Sequence, residues 1–187
     1  LFCDDALRNF FHHYEKQPDF ANTIFVITGD HRMPEIPMRT KIDRYHVPFI
    51  VYSPLLARPA AFKSVSTHYD VAPTLLAFMK NRYGLDVPGL STWVGSGIDT
   101  AHNFRNIHSY PLMQTKDVVA DFVKGNYMLS GSSLFRVEEN MDLEPVVDET
   151  LYRELNAEFG RFKRRNATMV AEEKLMPDSL YQRYAPK

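Results

Sequence analysis

A single cysteine, Cys3, stands in 187 residues. It cannot close an internal disulfide and has no partner for a thiolate metal site, so a disulfide scaffold and a Cys-built zinc site are both excluded and packing is the role left to it. Charge of one sign is also lacking. Lys and Arg number 22 against 23 Asp and Glu, a net charge of -1, so no overall field draws the chain toward nucleic acid or an anionic membrane. No run approaches the roughly 18 to 20 consecutive apolar residues of a membrane-spanning helix, and no succession of basic, apolar and small residues marks a signal peptide. The segment is expected to be soluble by itself. It begins at Leu1, without Met and directly ahead of a helical pattern, which suggests a fragment in which missing targeting signals carry no information. Internal repeats and low-complexity tracts are absent too.

What is present is apolar material enough for a core: 44% hydrophobic and 13% aromatic residues predict an ordered globular unit. From Asp4 to Gln17, Leu7, Phe10, Phe11 and Tyr14 fall on one face of an amphipathic helix that Asp4 or Asp5 can cap. Pro18 ends it. The run Thr23 to Thr28 reads as a strand buried on both faces, and Gly29 closes it. A loop is expected from Arg32 to Tyr45, a second buried strand over Val47 to Tyr52, and a helix from Val71 to Tyr83 introduced by Asp70 and Pro73. This order predicts an α/β class: a layered sheet with flanking helices, followed by a small antiparallel hairpin and a long C-terminal helix. The hairpin is expected at Tyr127–Leu129 and Ser133–Val137 around Ser130-Gly131-Ser132, and the helix over Asp148 to Glu172, with Leu151, Leu155, Phe159 and Phe162 on its inner face. Residues 1–100 are assigned to an α/β core and 101–187 to a small α+β subdomain.

The pair Asp30-His31 is the most informative for chemistry. A carboxylate and an imidazole delivered together from the end of a rigid strand can both coordinate a divalent cation. Alone the dipeptide is weak, because Asp after Gly at a strand end is commonly a turn residue.

Its surroundings carry a resemblance. Asn22-Thr23-Ile24-Phe25-Val26-Ile27-Thr28-Gly29-Asp30-His31 is similar to the metal-binding strand of lipoteichoic acid synthases, phosphoglycerol transferases and related sulfatases. Arg44 to Pro54 resembles the next strand of that family and Ser66 to Leu76 the helix entry after it, so the likeness covers roughly the first 80 residues. It implies the carboxyl-terminal half of an alkaline phosphatase-like catalytic core, with Asp30 and His31 as ligands of manganese or zinc in a transferase, or calcium in a sulfatase, magnesium being a further option. A His ligand suits manganese or zinc better than calcium, which favours phosphoryl chemistry. The family's Thr, Ser or formylglycine nucleophile and a further acidic ligand lie earlier than anything present, so the chain alone is expected to be inactive. The resemblance further implies a phospholipid or glycan substrate, no nucleic-acid partner, and an extracytoplasmic location with membrane anchorage through segments ahead of this one.

His68 is either a substrate contact or second-metal ligand, or a histidine that hydrogen-bonds at a helix start. Asp70 reads as the helix cap. Arg39, Lys41 and Arg44 follow the metal pair, where cations could hold an anionic substrate, although each singly fits an ordinary solvated loop. Arg32 departs from the small residue common after Asp-His in the family. His12 and His13 point in different directions from one helix and are read as structural. His102 and His108 lie in the connection between the two parts. Asn166-Ala167-Thr168 fits a glycosylation acceptor but is a short motif, and Lys163-Arg164-Arg165 is the wet face of the last helix. Two competing functions remain: a sulfatase or phosphodiesterase on the same scaffold, and a noncatalytic binding domain that kept the fold.

Overall fold

The run of β-branched and aromatic residues before Asp30 forms a strand, but a short one with little to cover it. In the computed structural model, which describes residues 2–87, 89 and 93–184, β1 (Phe25–Thr28) pairs only with β2 (Phe49–Tyr52). The pairing is antiparallel, with Phe25 opposite Tyr52 and Thr28 opposite Phe49. The expectation of strands buried on both faces is corrected here: β1 is half-buried, and Ile50 and Tyr52 of β2 are exposed. Composition suits a buried strand, but burial is decided by neighbours, and two strands shield little of each other.

These strands belong to the first of two compact units, formed by Leu1–Ile36 and His46–Ala61. Its helix α1 (Phe2–Tyr14) starts with Asp4 and Asp5 in the first turn, where carboxylates favour the helix dipole. Among the described residues of this unit only Ser53 is buried, its hydroxyl donating to the Thr23 carbonyl at 2.6 Å. Ring contacts substitute for a core: Phe11 and Tyr14 meet Phe25 edge-on at 5.0 and 5.2 Å, and Phe25 stacks on Tyr52 at 6.0 Å. A 3-10 turn, Phe20–Asn22, occupies the short linker before β1.

The second unit, Pro37–Tyr45 with Phe62–Lys187, holds the true core; residue 100 falls within it. Its helix α2 (Val71–Tyr83) stops at Gly84, whose φ of 66° supplies the left-handed cap. The expected hairpin is the centre of a larger sheet, β3 (Ser109–Thr115), β4 (Val118–Lys124), β5 (Tyr127–Ser130), β6 (Ser133–Val137) and β7 (Leu143–Val146), all antiparallel in sequence order. Pro111 lies in β3 and Pro145 in β7, the two edge strands, where a missing N–H costs no ladder bond. Gly125 and Gly131 turn the two central hairpins with φ of 54° and 59°.

Both faces of this sheet are covered, so consecutive residues of β4 and β5 are buried. On one face Tyr110, Leu112, Val123, Met128 and Val137 enclose Ile42, delivered by the 3-10 turn Lys41–Tyr45. On the other, Phe122, Leu129 and Leu134 receive Leu155 and Phe159 of α3 (Glu149–Ala171), with Leu151 and Phe162 packed beside them. Phe122 and Phe159 stack at 5.2 Å. Asp148 caps α3, its carboxylate accepting from the Leu151 N–H at 2.9 Å. A short helix, α4 (Asp178–Tyr184), follows.

Candidate metal centre and its surroundings

Strand β1 ends at Thr28 and releases Asp30 and His31 into the open, with 88% and 71% of their side-chain surfaces accessible. Gly29 permits a close approach: an added Cβ would lie 3.3 Å from the Val47 side chain. The pair is locally organised. The His31 N–H donates to Asp30 Oδ1 at 2.9 Å, and His31 Nδ1 lies 2.7 Å from the Arg32 carbonyl. A carbonyl only accepts, so Nδ1 carries the proton and the neutral ring keeps its lone pair on Nε2. That atom stands 3.5 Å from Asp30 Oδ2. One nitrogen and one carboxylate oxygen are thus left on adjacent residues with their remaining atoms occupied by backbone.

Arg32, unusual beside such a pair, has a structural task. Its Nη1 donates to the carbonyls of Met33 and Ile36 at 2.7 and 2.6 Å, folding the following loop around the guanidinium. Two prolines in that stretch leave few N–H groups to organise it otherwise.

The other sequence-derived candidates belong to the second unit. The expected loop Arg32 to Tyr45 is corrected at its end, where Lys41–Tyr45 is a 3-10 turn pinned to the sheet. Lys41 Nζ donates to Ser130 Oγ at 2.8 Å, Thr40 Oγ1 to the Met141 carbonyl at 3.3 Å, and Tyr45 Oη to Asp121 Oδ2 at 2.5 Å. Burial first, and this bond second, push the Tyr45 hydroxyl well above the usual phenol range. Asp121 and Ser130 are opposite each other on β4 and β5, so the turn's positions 41 and 45 meet one cross-strand pair. Arg39 stands 3.8 Å from Asp142, a surface contact, and its N–H is held by Asp43. Arg44 is exposed.

His68 is exposed at the head of the 3-10 turn His68–Asp70. Asp70 stands at the cap position of α2 but its side chain makes no cap bond to that helix; it serves the 3-10 turn instead, where Thr67 is the cap and the two form a reciprocal capping box. It is fully buried. Oδ2 accepts from the Thr67 N–H and hydroxyl at 2.8 and 3.3 Å, and Oδ1 from the N–H groups of Ser96 and Gly97, both at 3.1 Å. Ile98 N donates to Thr74 Oγ1 at 3.0 Å, so residues 96–98 strap the start of α2. Among the described residues the buried Tyr110 hydroxyl finds no partner in hydrogen-bond geometry, yet it stands close enough to Asp70 that burial first, and that carboxylate second, raise it far above its ordinary value. Asp99 is held below the usual carboxylate range by Arg105, which binds it through Nε at 2.6 Å and Nη2 at 3.0 Å, and by the Ala101 N–H.

His12 and His13 are exposed on α1, His13 Nδ1 bonding back to the Asn9 carbonyl at 2.7 Å. His102 lies beside Phe62 and His108 beside Tyr110. The Asn166-Ala167-Thr168 motif is on the exposed side of α3, where Thr168 bonds back to the Arg164 carbonyl. Among the described residues no three His, Cys, Asp or Glu side chains gather as a complete metal site, and no third such side chain joins Asp30 and His31. Also among the described residues, no helix is long and apolar enough to cross a membrane.

The Sulfatase family model matches residues 1–81, the segment that carries β1, the Asp30-His31 pair, β2 and most of α2. This match supports an enzyme of the sulfatase and alkaline phosphatase superfamily. No curated protein and no solved structure matches the chain.

Proposed function

We propose that this chain is part of a metal-dependent enzyme transferring a phosphoglycerol or related phospho-alcohol group, with Asp30 and His31 holding the divalent cation. The observation that carries the reading is the 3.5 Å between His31 Nε2 and Asp30 Oδ2, with the tautomer set by the Arg32 carbonyl. Two donors each about 2.1 Å from a tetrahedral ion stand roughly 3.4 Å apart, so the pair fits one small cation. Nitrogen beside oxygen favours manganese or zinc over calcium. When bound, the cation supplies Lewis-acid activation of a nucleophile and neutralises charge on the transferring group. The chain's own part is orientation: the Arg32 carbonyl keeps the imidazole turned, and the His31 N–H holds one carboxylate oxygen so that the other faces Nε2. The nucleophile and the remaining ligands are assigned to chain ahead of Leu1, and the substrate to lipids or glycans of a bacterial cell envelope, on the outer side of a membrane-anchored enzyme.

Sulfate-ester hydrolysis is the second reading, favoured by the family whose model matches residues 1–81. Isothermal titration of manganese and zinc into the intact catalytic domain tests the metal assignment. Stoichiometric binding that disappears in Asp30→Ala and in His31→Ala supports it, whereas equal binding in both variants and wild type would sink it. Turnover of a glycerophosphate-bearing lipid but not of an aryl sulfate supports transfer; the reverse preference replaces it with the sulfatase reading.

A further inference from the structure

The C-terminal half of α3 concentrates charge that the fold does not use. Residues 159–171 hold four of the chain's 22 basic residues and none of its 23 acidic ones. The four do not act alike. Lys163 Nζ sits 4.2 Å from the ring centroid of Phe159, itself buried under the helix. Arg164 and Arg165 stand one turn from Arg161, at spacings of three and four, so each neighbours it on the helix surface, and all three are exposed.

Among the described residues, no acid stands at helical spacing from Arg164 or Arg165, and Arg161 has only Glu158, three residues before it. Positions three and four away from Arg164 and Arg165 hold Gly160, Arg161, Phe162, Ala167, Thr168 and Met169, and no acid. The acids earlier on α3 are committed elsewhere: Glu149 to Arg153, and Glu154 and Glu158 to Lys124. Nor does the helix dipole account for the cluster, since its effect is confined to the last turn and Ala171 lies six residues beyond Arg165. Gly160, costly inside a helix, leaves a flat spot over which Arg164 lies: an added Cβ would come 3.3 Å from its Nη1.

We propose that this arginine face docks on an anionic membrane surface through the phosphates of its lipid headgroups. Guanidinium groups present paired N–H donors that match phosphate oxygens. A convex, open helix face cannot enclose one small anion, but a plane of phosphates lets all three arginines act together. Arg161 lies about 5–6 Å at Cβ from each of the other two, within the physiological Debye length of about 8 Å, so they act as one local charge although the chain as a whole is nearly neutral. This inference is independent of the metal reading.

The test is sedimentation of the 187-residue chain with vesicles of equal parts phosphatidylglycerol and phosphatidylcholine, against vesicles of phosphatidylcholine alone. The wild type is expected to bind only the anionic vesicles. Each arginine near such a surface contributes roughly a fivefold factor, so Arg161→Gln with Arg164→Gln and Arg165→Gln should weaken binding on the order of a hundredfold. A control of equal charge change at exposed sites elsewhere, Lys80→Gln with Arg82→Gln and Lys116→Gln, should bind as wild type, with unchanged circular dichroism in both. Equal loss in the control would reduce the effect to net charge and overturn the proposal, as would a wild type that ignores anionic vesicles. Release by inorganic phosphate at constant ionic strength would mean a discrete phosphate site and would overturn it too.

Discussion

Replacing Asp70 by Asn changes one atom type at a buried, fully bonded side chain of the second unit. Four donors converge on the carboxylate: two from Thr67 onto Oδ2 and the N–H groups of Ser96 and Gly97 onto Oδ1. An asparagine offers one oxygen to one of these pairs and turns an NH₂ toward the other: against Ser96 and Gly97 two bonds are lost, against Thr67 only the N–H bond, because the hydroxyl can turn to accept. Hydrogen bonds to a charged group contribute about 1.5–3 kcal/mol each, giving about 1.5–6 kcal/mol over the two orientations. Relief from burying a charge offsets part of this, which leaves about 3 kcal/mol of destabilisation. Urea unfolding reads the size, and amide hydrogen exchange reads the place: the Ser96 and Gly97 amides should lose protection, or those of Thr67 and the 3-10 turn if the amide flips. A loss below about 1 kcal/mol with unchanged exchange at both sites would refute the reasoning, because it would mean that water already serves these donors.

Gly95→Ala tests the same strap by sterics. An added Cβ would stand 2.1 Å from the Tyr69 carbonyl oxygen and 2.8 Å from the Asp70 nitrogen, both backbone, so the variant should unfold the strap or fail to accumulate as folded protein; a wild-type urea midpoint would contradict this. Arg105→Ala should raise the Asp99 carboxyl titration measured by NMR, since the guanidinium is the first cause of its depression. Its folded value lies below the unfolded carboxylate value of about 3.9, so its stabilising contribution is complete above that pH and fades as pH falls through the folded value. In Arg105→Ala that contribution should be smaller, and its loss should be complete at a higher pH.

Where the sequence is legible, the cause is local. Helix α3 is announced by Leu151, Leu155, Phe159 and Phe162 at helical spacing, and the structure ends it one residue inside each expected boundary. The β5–β6 hairpin is announced by Gly131 between two apolar runs. Strands β3 and β7 are hidden by Pro111 and Pro145, which read as breakers until the strands prove to be edges. Strand β4 is hidden by Asp121, a buried acid whose partner Tyr45 lies 76 residues away. Asp30 and His31 are visible as neighbours in sequence, but the Arg32 carbonyl that selects the tautomer is a backbone atom and leaves no signature. Likewise the strap on Asp70 uses the N–H groups of Ser96 and Gly97, which no residue identity encodes.

The staple at Thr40, Lys41 and Tyr45 makes the chain pass from the first unit to the second, back at His46, and out again after Ala61. The first unit is therefore discontinuous in sequence. A nascent chain that has emerged only as far as Tyr52 owns both strands of the small sheet, yet its connecting turn still lacks Asp121, Ser130 and Met141, so the β1–β2 pairing must close a loop whose anchor is synthesised later. Any scheme that swaps or grafts the Asp30-His31 strand between proteins has to cut at three places, near residues 36, 45 and 61. A single exchange at one of them leaves either β1 without β2 or Ile42 without the sheet that buries it.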